Sequence, residues 1–208
     1  LTWQDRHIIA SDVARGLAFL HTALSPPIIH QDIKPANILL GPGPGVGGAR
    51  LVAKLADFGI SRVAPELAPS QAKSYVKTQN PAGTPIYMPM EYHMAGRVSS
   101  KVDAYAFGIV LLELLTGRPP FDFRTREPLV DQVYAELLEP KRFVNAIADR
   151  AAGSWPTSKW VRLAVVARRC SEAKVRERCT LADVVAEIDE LAGRGARRRG
   201  LFGLGGAR

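Results

Sequence analysis

The sequence predicts a mainly α-helical domain that carries one short β-hairpin. Helix is indicated by apolar residues at helical spacing near the start, and by the stretch Ser99–Thr116, which is apolar nearly all round. The hairpin is indicated by two short apolar runs, Ile38–Leu40 and Leu51–Leu55, on either side of a segment rich in Gly and Pro, Gly41–Arg50, which we expect to be a flexible tip. With 208 residues, 47% of them hydrophobic, the chain suits one globular unit with a sizeable core.

Composition argues against several classes of protein. No apolar run approaches the roughly 18 residues that a membrane span needs, and no signal-peptide pattern is present. The two cysteines, Cys170 and Cys179, form neither a disulfide framework nor a metal-binding spacing, which favours a reducing compartment. The net charge of +8 owes much to arginines in the last segment, so composition does not by itself demand a nucleic-acid partner.

The first element is expected to be a helix from Thr2 to His21. Thr2 is a suitable N-cap, and Asp5 stands where an acid can complete a capping box. Ser25-Pro26-Pro27 ends the helix, because proline cannot continue it. The apolar stripe of this helix consists of Ile9, Val13, Leu17 and Leu20.

The stretch Ile28–Leu40 follows and holds polar residues between two apolar runs. Apolar flanks attach a loop to the core, so its side chains can be held in fixed directions. Asp32 can accept a proton, Lys34 can meet a phosphate, and the amide oxygen of Asn37 can hold a metal ion. Asp57, further along the chain, supplies a second hard oxygen ligand.

These residues fall in motifs that together resemble the signature of eukaryotic protein kinases. The motifs are His30-Gln31-Asp32 followed by Asn37, and then Asp57-Phe58-Gly59. The family has arginine where Gln31 stands. The match covers residues 1–191 and only the C-terminal lobe of such a kinase, most similar to receptor-like and other tyrosine-kinase-like serine/threonine kinases. We therefore expect a kinase C-terminal lobe over residues 1–191, with the N-terminal lobe missing, and a disordered basic tail over 192–208.

The resemblance implies a protein kinase that uses ATP and Mg²⁺ and acts on a protein substrate. It implies that Asp32 orients the substrate hydroxyl and accepts its proton, and that Lys34 meets the transferred γ-phosphate. It assigns Asn37 and Asp57 to the metal and the nucleotide. Lys34-Pro35 and Gly83-Thr84 indicate Ser or Thr as the acceptor, with Thr84 positioning the substrate. We expect a cytoplasmic location, either free or within a receptor-like parent protein.

Residues 57–91 resemble an activation segment, which would be a solvated and phosphorylatable gate. Its last part, Gly83–Glu91, resembles the stretch that seats the substrate beside the acceptor. The family ends this stretch with Ala-Pro-Glu, whereas this chain has Pro89-Met90-Glu91. Hydroxyl-bearing residues in the segment include Ser61, Ser70, Ser74, Tyr75, Thr78 and Thr84.

Four residues are expected to support the site rather than react. His30 is predicted to be buried. Asp103, in the first turn of the predicted central helix, would accept hydrogen bonds from the loop that contains Asp32. Arg178 stands where the family has the arginine of Arg-Pro-Thr and would form a buried ion pair with Glu91. The remaining predicted helices are Leu129–Ala148, Trp160–Ser171 and Leu181–Leu191.

Three alternatives stay open at this point. The chain could be a pseudokinase or a kinase-fragment binding module. It could be a small-molecule phosphotransferase, against which Lys34-Pro35, Gly83–Glu91 and Arg178 argue. It could bind nucleic acid or a membrane surface through Gly193–Arg208, although Phe202 is the lone aromatic residue there. Without an N-terminal lobe to close the nucleotide site, we expect these 208 residues alone to bind ATP weakly and to transfer no phosphate.

Overall fold

The structure is a computed structural model that describes residues 1–43, 50–67 and 74–191. Most of the predicted hairpin tip, the middle of the predicted activation segment and the basic tail lie outside the described residues. Predictions about the flexibility of those parts, including the disorder expected over 192–208, therefore stay predictions.

The chain begins with helix α1, Trp3–Ala18, which continues as a π-helical turn over Phe19–Ala23. The capping box predicted from the sequence is confirmed. The Thr2 hydroxyl accepts from the Asp5 backbone N–H at 3.2 Å, and the Thr2 backbone N–H donates to Asp5 Oδ2 at 2.8 Å. The predicted apolar stripe is buried against the core.

Short antiparallel strand pairs hold the irregular segments. β1, Ile28–Ile29, pairs with β4, Arg62–Val63; β2, Ile38–Pro42, pairs with β3, Leu51–Leu55; β5, Val76–Lys77, pairs with β6, Arg97–Val98; and β7, Phe121–Asp122, pairs with β8, Glu127–Pro128. The predicted hairpin, β2 with β3, is confirmed, although β2 continues to Pro42 and so takes up two residues of the expected tip. The pair β1 and β4 joins the loop of Asp32 to the segment that follows Asp57.

Helix α3, Ser100–Thr116, runs through the centre of the fold after the short helix α2, Met90–His93. Ser99 caps it by accepting from the Lys101 backbone N–H at 3.3 Å, and Gly117 ends it in the left-handed conformation with φ 67°. A Cβ at position 117 would lie 2.5 Å from a carboxylate oxygen of Asp149, so glycine is required there. The predicted buried central helix is confirmed.

The remaining helices surround α3. They are α4, Leu129–Gln132; α5, Tyr134–Leu138; α6, Pro140–Ile147; α7, Thr157–Cys170; and α8, Leu181–Leu191. The prediction of one continuous helix over Leu129–Ala148 is wrong. Pro140 lacks a backbone N–H and stands at the first position of α6, where that loss costs nothing, so it separates α6 from α5. Helix α7 begins at Thr157, before the predicted start at Trp160, and the closing helix α8 lies as predicted.

The main core is built by α1, α3 and α7, with α8 packed on α1. Its largest fully buried apolar side chains include Trp160, Phe107 and Leu17. Within residues 1–43, 50–67 and 74–191, no helix is both long and apolar enough to cross a membrane.

Candidate active site

A buried carboxylate at the start of α3 fixes the loop that contains Asp32. Asp103 is fully buried, and its two oxygens accept from the backbone N–H groups of His30 and Gln31, each at 2.8 Å. The ring nitrogen Nε2 of His21 lies 2.7 Å from the same carboxylate. A buried charge is tolerated only when donors surround it. Asp103 thus lies where the kinase resemblance implied, and His21 is a further partner that the sequence analysis did not identify.

His30 links this loop to the segment that carries Asp57. The imidazole is fully buried, with Nε2 3.1 Å from the carbonyl of Ala56 and Nδ1 3.4 Å from the backbone N–H of Asp32. A donor at Nε2 and an acceptor at Nδ1 satisfy both contacts. The ring also packs against Phe58, with centroids 4.8 Å apart. Both ring nitrogens are thus engaged by backbone groups of the neighbouring segments.

Two residues flanking the site have a strained backbone. Gln31 has φ 70° and Asp57 has φ 62°, a region that non-glycine residues seldom occupy. Such strain tends to persist where the surrounding structure enforces it, often at functional sites. At Gln31 the enforcing contact is the hydrogen bond from its backbone N–H to Asp103.

The central polar cluster brings together Asp32, Lys34, Asn37 and Thr84. Lys34 Nζ lies 2.8 Å from Asp32 Oδ2 and 2.8 Å from the Thr84 hydroxyl. Asn37 Nδ2 donates to the same Oδ2 at 3.0 Å, and the Thr84 hydroxyl and backbone N–H donate to Oδ1 at 2.8 and 3.0 Å. Each Asp32 oxygen therefore accepts two hydrogen bonds.

These contacts keep Asp32 ionised. Burial alone would raise the pKa of this carboxyl, but hydrogen bonds from Lys34 and Thr84, the charge of Lys34 and the hydrogen bond from Asn37 together lower it. Asp32 is thus a carboxylate at neutral pH and able to accept a proton. Its basicity depends on the ammonium of Lys34, which contributes both a hydrogen bond and a charge.

Asp57 and Asn37 offer oxygen atoms that suit a hard cation. The Asp57 side chain is exposed and accepts only from the Gly59 backbone N–H, at 3.3 Å, among the described residues. The amide nitrogen of Asn37 is fixed on Asp32, and no donor within the described part of the chain occupies its oxygen. The Ala56 backbone N–H donates to the Asn37 carbonyl at 2.9 Å, which ties the two segments together. A carboxylate and an amide oxygen fit the ligand preference of Mg²⁺.

Gly83 allows the segment before α2 to approach the catalytic loop closely. Its φ is 126°, and a Cβ there would lie 2.8 Å from the Gln31 carbonyl and 3.1 Å from the Met88 side chain. Any other residue would therefore push the segment, and Thr84 with it, away from Asp32. The short helical turn Pro85–Tyr87 follows Thr84 and itself packs against α3.

The end of the same segment is attached to the helical body by Glu91 and Arg178. Arg178 Nη1 lies 2.6 Å from Glu91 Oε1, and Nη2 lies 3.4 Å from Oε2. The guanidinium also donates to the carbonyls of Glu172 and Lys101 and stacks on the Tyr105 ring, 5.1 Å from its centroid. The Arg178 side chain is 0% exposed and that of Glu91 13% exposed. The pair thus stands where the resemblance implied, despite the altered sequence before Glu91.

Three polar contacts near the site were not identified from the sequence. The amide of Gln31 donates to the Ile60 carbonyl, and its oxygen lies 3.2 Å from the Tyr92 hydroxyl. The Tyr87 hydroxyl lies 3.0 Å from the carboxylate of Glu113, whose pKa is raised to about 7 because burial outweighs that hydrogen bond. Tyr87 and Tyr92 follow Gly83 closely in the sequence, so they could have been expected near the site. Their partners, Glu113 and Gln31, lie far away along the chain.

Comparison with known proteins agrees with this geometry. The sequence model of the family described as "Protein kinase domain" matches residues 1–188. The chain is 38% identical over 190 residues to U-box domain-containing protein 70 of Oryza sativa subsp. japonica, covering 91% of this chain and 22% of that protein.

Two further relatives come from Arabidopsis thaliana. A probable LRR receptor-like serine/threonine-protein kinase is 37% identical over 202 residues, covering 96% of this chain and 22% of the relative. The probable serine/threonine-protein kinase PBL6 is 33% identical over 195 residues, covering 92% of this chain and 43% of the relative. The chain thus spans about a fifth of two of these proteins and less than half of the third.

Proposed function

The chain belongs to the protein kinase family, and on that basis we propose that it transfers the γ-phosphate of ATP to Ser or Thr hydroxyls of a protein substrate. The observation that carries the proposal is the cluster in which Asp32, Lys34, Asn37 and Thr84 meet through hydrogen bonds of 2.8 to 3.0 Å. The names of two relatives, a probable receptor-like kinase and a probable kinase of the serine/threonine type, support the same acceptor.

In this proposal Asp32 is the residue that accepts the proton of the substrate hydroxyl. In the structure all of its acceptor positions are engaged, two of them by Thr84, one by Lys34 and one by Asn37. Movement of the Lys34 ammonium toward the transferred phosphate would free one position on Oδ2. It would also remove a charge that lowers the pKa of Asp32, so the carboxylate would become a better base as phosphate arrives.

Thr84 would position the substrate by holding the carboxylate in place. Its hydroxyl accepts a hydrogen bond from Lys34 and donates one to Asp32. It therefore links Lys34, which would face the phosphate, to Asp32, which would face the substrate hydroxyl. Orientation of reacting groups is a large part of what phosphoryl transfer requires, because the transition state involves little covalent chemistry with the protein.

Asn37 and Asp57 would hold Mg²⁺ through their side-chain oxygens. Bound there, the ion would neutralise charge on the phosphates of ATP. The protein's part is to fix the two oxygens. The oxygen of Asn37 would be held by the hydrogen bond from its amide nitrogen to Asp32. The Asp57 carboxylate would be held by the strained backbone of that residue and by its hydrogen bond from Gly59.

We expect the nucleotide to need more protein than these residues. A kinase nucleotide site is closed by a glycine-rich loop and a strand-borne lysine above the phosphates, and the residues that precede the Asp32 loop here contain neither motif. We therefore propose that the isolated chain binds ATP weakly, and that full activity requires an N-terminal lobe. We also propose a cytoplasmic location, because the two cysteines form no disulfide framework in the sequence.

The test is phosphate transfer by the 208-residue chain fused to the N-terminal lobe of a receptor-like kinase relative. The fusion is incubated with Mg²⁺-ATP and a peptide library that contains Ser, Thr and Tyr, and the products are mapped by mass spectrometry. The proposal expects phosphoserine and phosphothreonine without phosphotyrosine. The matched control is Asp57→Asn, which keeps the shape of the side chain and removes the carboxylate charge.

The result also separates the proposal from its main rival, a pseudokinase that acts by binding. A folded fusion that binds ATP and shows no transfer above the Asp57→Asn control would favour the pseudokinase. Transfer to a small aminoglycoside-like hydroxyl compound and not to peptides would favour a small-molecule phosphotransferase.

A further inference from the structure

The two cysteines of the chain meet in the fold although their spacing gave no sign of a joint role. Cys170 ends α7, and Cys179 stands just before α8, where the family resemblance has proline. Their Sγ atoms lie 3.2 Å apart, and both thiols are free. The Cys179 backbone N–H donates to the Arg169 carbonyl at 3.1 Å, which fixes the approach of the two segments.

Packing against the central helix holds Cys170 in place. A Cβ at Gly108 of α3 would lie 2.9 Å from the Cys170 Cβ, so the helices are in close contact at this point. Cys170 is fully buried, whereas Cys179 keeps 7% of its surface exposed. Cys179 is therefore the more exposed residue of the pair.

The electrostatics of the pair distinguish the two sulfurs. A hydrogen bond from the Cys170 thiol lowers the pKa of Cys179, and the charges of Arg169 and Lys101 lower it further against the effects of burial and Glu187. The pKa of Cys170 is raised by the same hydrogen bond and by burial. The thiolate is the reactive form of cysteine. Together with the greater exposure of Cys179, the lowered pKa favours Cys179 as the nucleophile and Cys170 as the thiol held against it.

We propose that Cys170 and Cys179 form a dithiol site that a hydroperoxide oxidises to an intramolecular disulfide. The Cys179 thiolate attacks one peroxide oxygen, the O–O bond breaks, and Cys179 becomes a sulfenic acid while hydroxide or an alkoxide leaves. The Cys170 sulfur then attacks the sulfenic sulfur, its proton leaves with the departing hydroxyl as water, and an S–S bond forms. In sum, the two thiols lose two electrons and two protons and become a disulfide. The hydroperoxide is reduced to one water and one alcohol, or to two waters when it is hydrogen peroxide.

The two sulfurs already lie close together. A disulfide bond is about 2.05 Å long, so the sulfurs need to approach by about 1 Å. The bond would join α7 to the residue next to Arg178, whose guanidinium holds Glu91. Oxidation would therefore place a covalent link beside the anchor of the substrate-seating segment. Transient disulfides of this kind are the form found in reducing compartments.

The experiment uses the full 208-residue chain in its reduced state and hydrogen peroxide as the probe. After peroxide treatment of the folded chain, the free thiols are alkylated in urea, and intact mass and peptide mapping are recorded before and after dithiothreitol. The expected result is a monomer that has lost two hydrogens and both alkylatable thiols, with both changes reversed by the reductant. Because the chain has two cysteines in all, such a product can contain only the Cys170–Cys179 bond.

Two matched variants assign the roles. Cys170→Ser is expected to accumulate a sulfenic acid at Cys179 that dimedone traps, and Cys179→Ser is expected to resist oxidation. Wild-type thiols that both stay alkylatable at peroxide levels that oxidise the urea-unfolded chain would overturn the proposal. So would disulfide-linked dimers without the internal bond. A dimedone adduct at Cys170 in Cys179→Ser, with none at Cys179 in Cys170→Ser, would overturn the assignment of the nucleophile.

Discussion

Removal of either partner of the Glu91–Arg178 pair is expected to destabilise the fold, and by unequal amounts. Breaking a buried ion pair costs about 3–5 kcal/mol, because one charge is left without its partner. In Glu91→Gln the guanidinium keeps its hydrogen bonds to the carbonyls of Glu172 and Lys101, so we expect about 3 kcal/mol. In Arg178→Met those carbonyls also lose their donor and the Tyr105 stacking is lost, so we expect about 5 kcal/mol.

The double variant is expected to cost about as much as Arg178→Met alone. Once the arginine is gone, the remaining Glu91 carboxylate has no partner, and its replacement by Gln removes that stranded charge. The coupling energy between the two sites should therefore be about 2–3 kcal/mol. Equilibrium unfolding in urea, followed by tryptophan fluorescence and far-UV circular dichroism, measures all four proteins.

The matched control is the exposed pair Arg162–Glu190, whose side chains are 50% and 63% exposed and lie 3.4 Å apart. Exposed pairs contribute about 0–1 kcal/mol, so Arg162→Met and Glu190→Gln should show small effects and almost no coupling. If Arg178→Met fails to fold, Arg178→Lys keeps the charge, loses the two-pronged contact and takes its place in the cycle. Additivity of the Glu91 and Arg178 effects within about 0.5 kcal/mol would refute the account of this anchor.

Two further predictions concern Gln31 and Glu113. Phosphatase treatment of the fused kinase should change its rate by the same factor in wild type and in Gln31→Ala. The reason is that the neutral Gln31 amide contacts Ile60 and Tyr92 and cannot form a charged fork with phosphate. A phosphatase effect confined to wild type would contradict this prediction. The pKa of Glu113 is raised from 4.5 to about 7, so the folded chain keeps a proton that the unfolded chain loses in this window, and stability should fall as pH rises from about 4.5 to 7. Relative to Glu113→Gln, the decline should amount to about 2 kcal/mol after allowance for solvent screening, measured by urea unfolding at each pH, and parallel curves for the two proteins would exclude the effect.

Local rules made several elements predictable from the sequence. The capping box at Thr2 depends on residues three positions apart, and it was confirmed. The family and the kinase-like fold, which rested on ordered motifs, are likewise confirmed. Helix breaks inside 129–148 were missed, since apolar spacing continues across Pro140 even though its backbone cannot.

Contacts between distant parts of the chain were harder to anticipate. The pairing of Asp32 with Thr84 could be expected only through the resemblance, because nothing in the spacing of two polar residues indicates that they touch. The contact between Gln31 and Tyr92, and that between Cys170 and Cys179, had no such guide. Both arise from how whole elements pack, which residue periodicity does not encode.

The most direct test of the proposed site is the kcat of Asp32→Asn in the fused kinase, compared with wild type at saturating Mg²⁺-ATP and peptide. Asn keeps the size of the side chain and one accepting oxygen, which can retain two of the four hydrogen bonds, but it cannot accept the proton. The account predicts a loss of roughly 10²–10⁴-fold in kcat, with the melting temperature and the KM for ATP little changed. A kcat within about twofold of the wild-type value would contradict the role of Asp32. It would also contradict the proposed chemistry of this site.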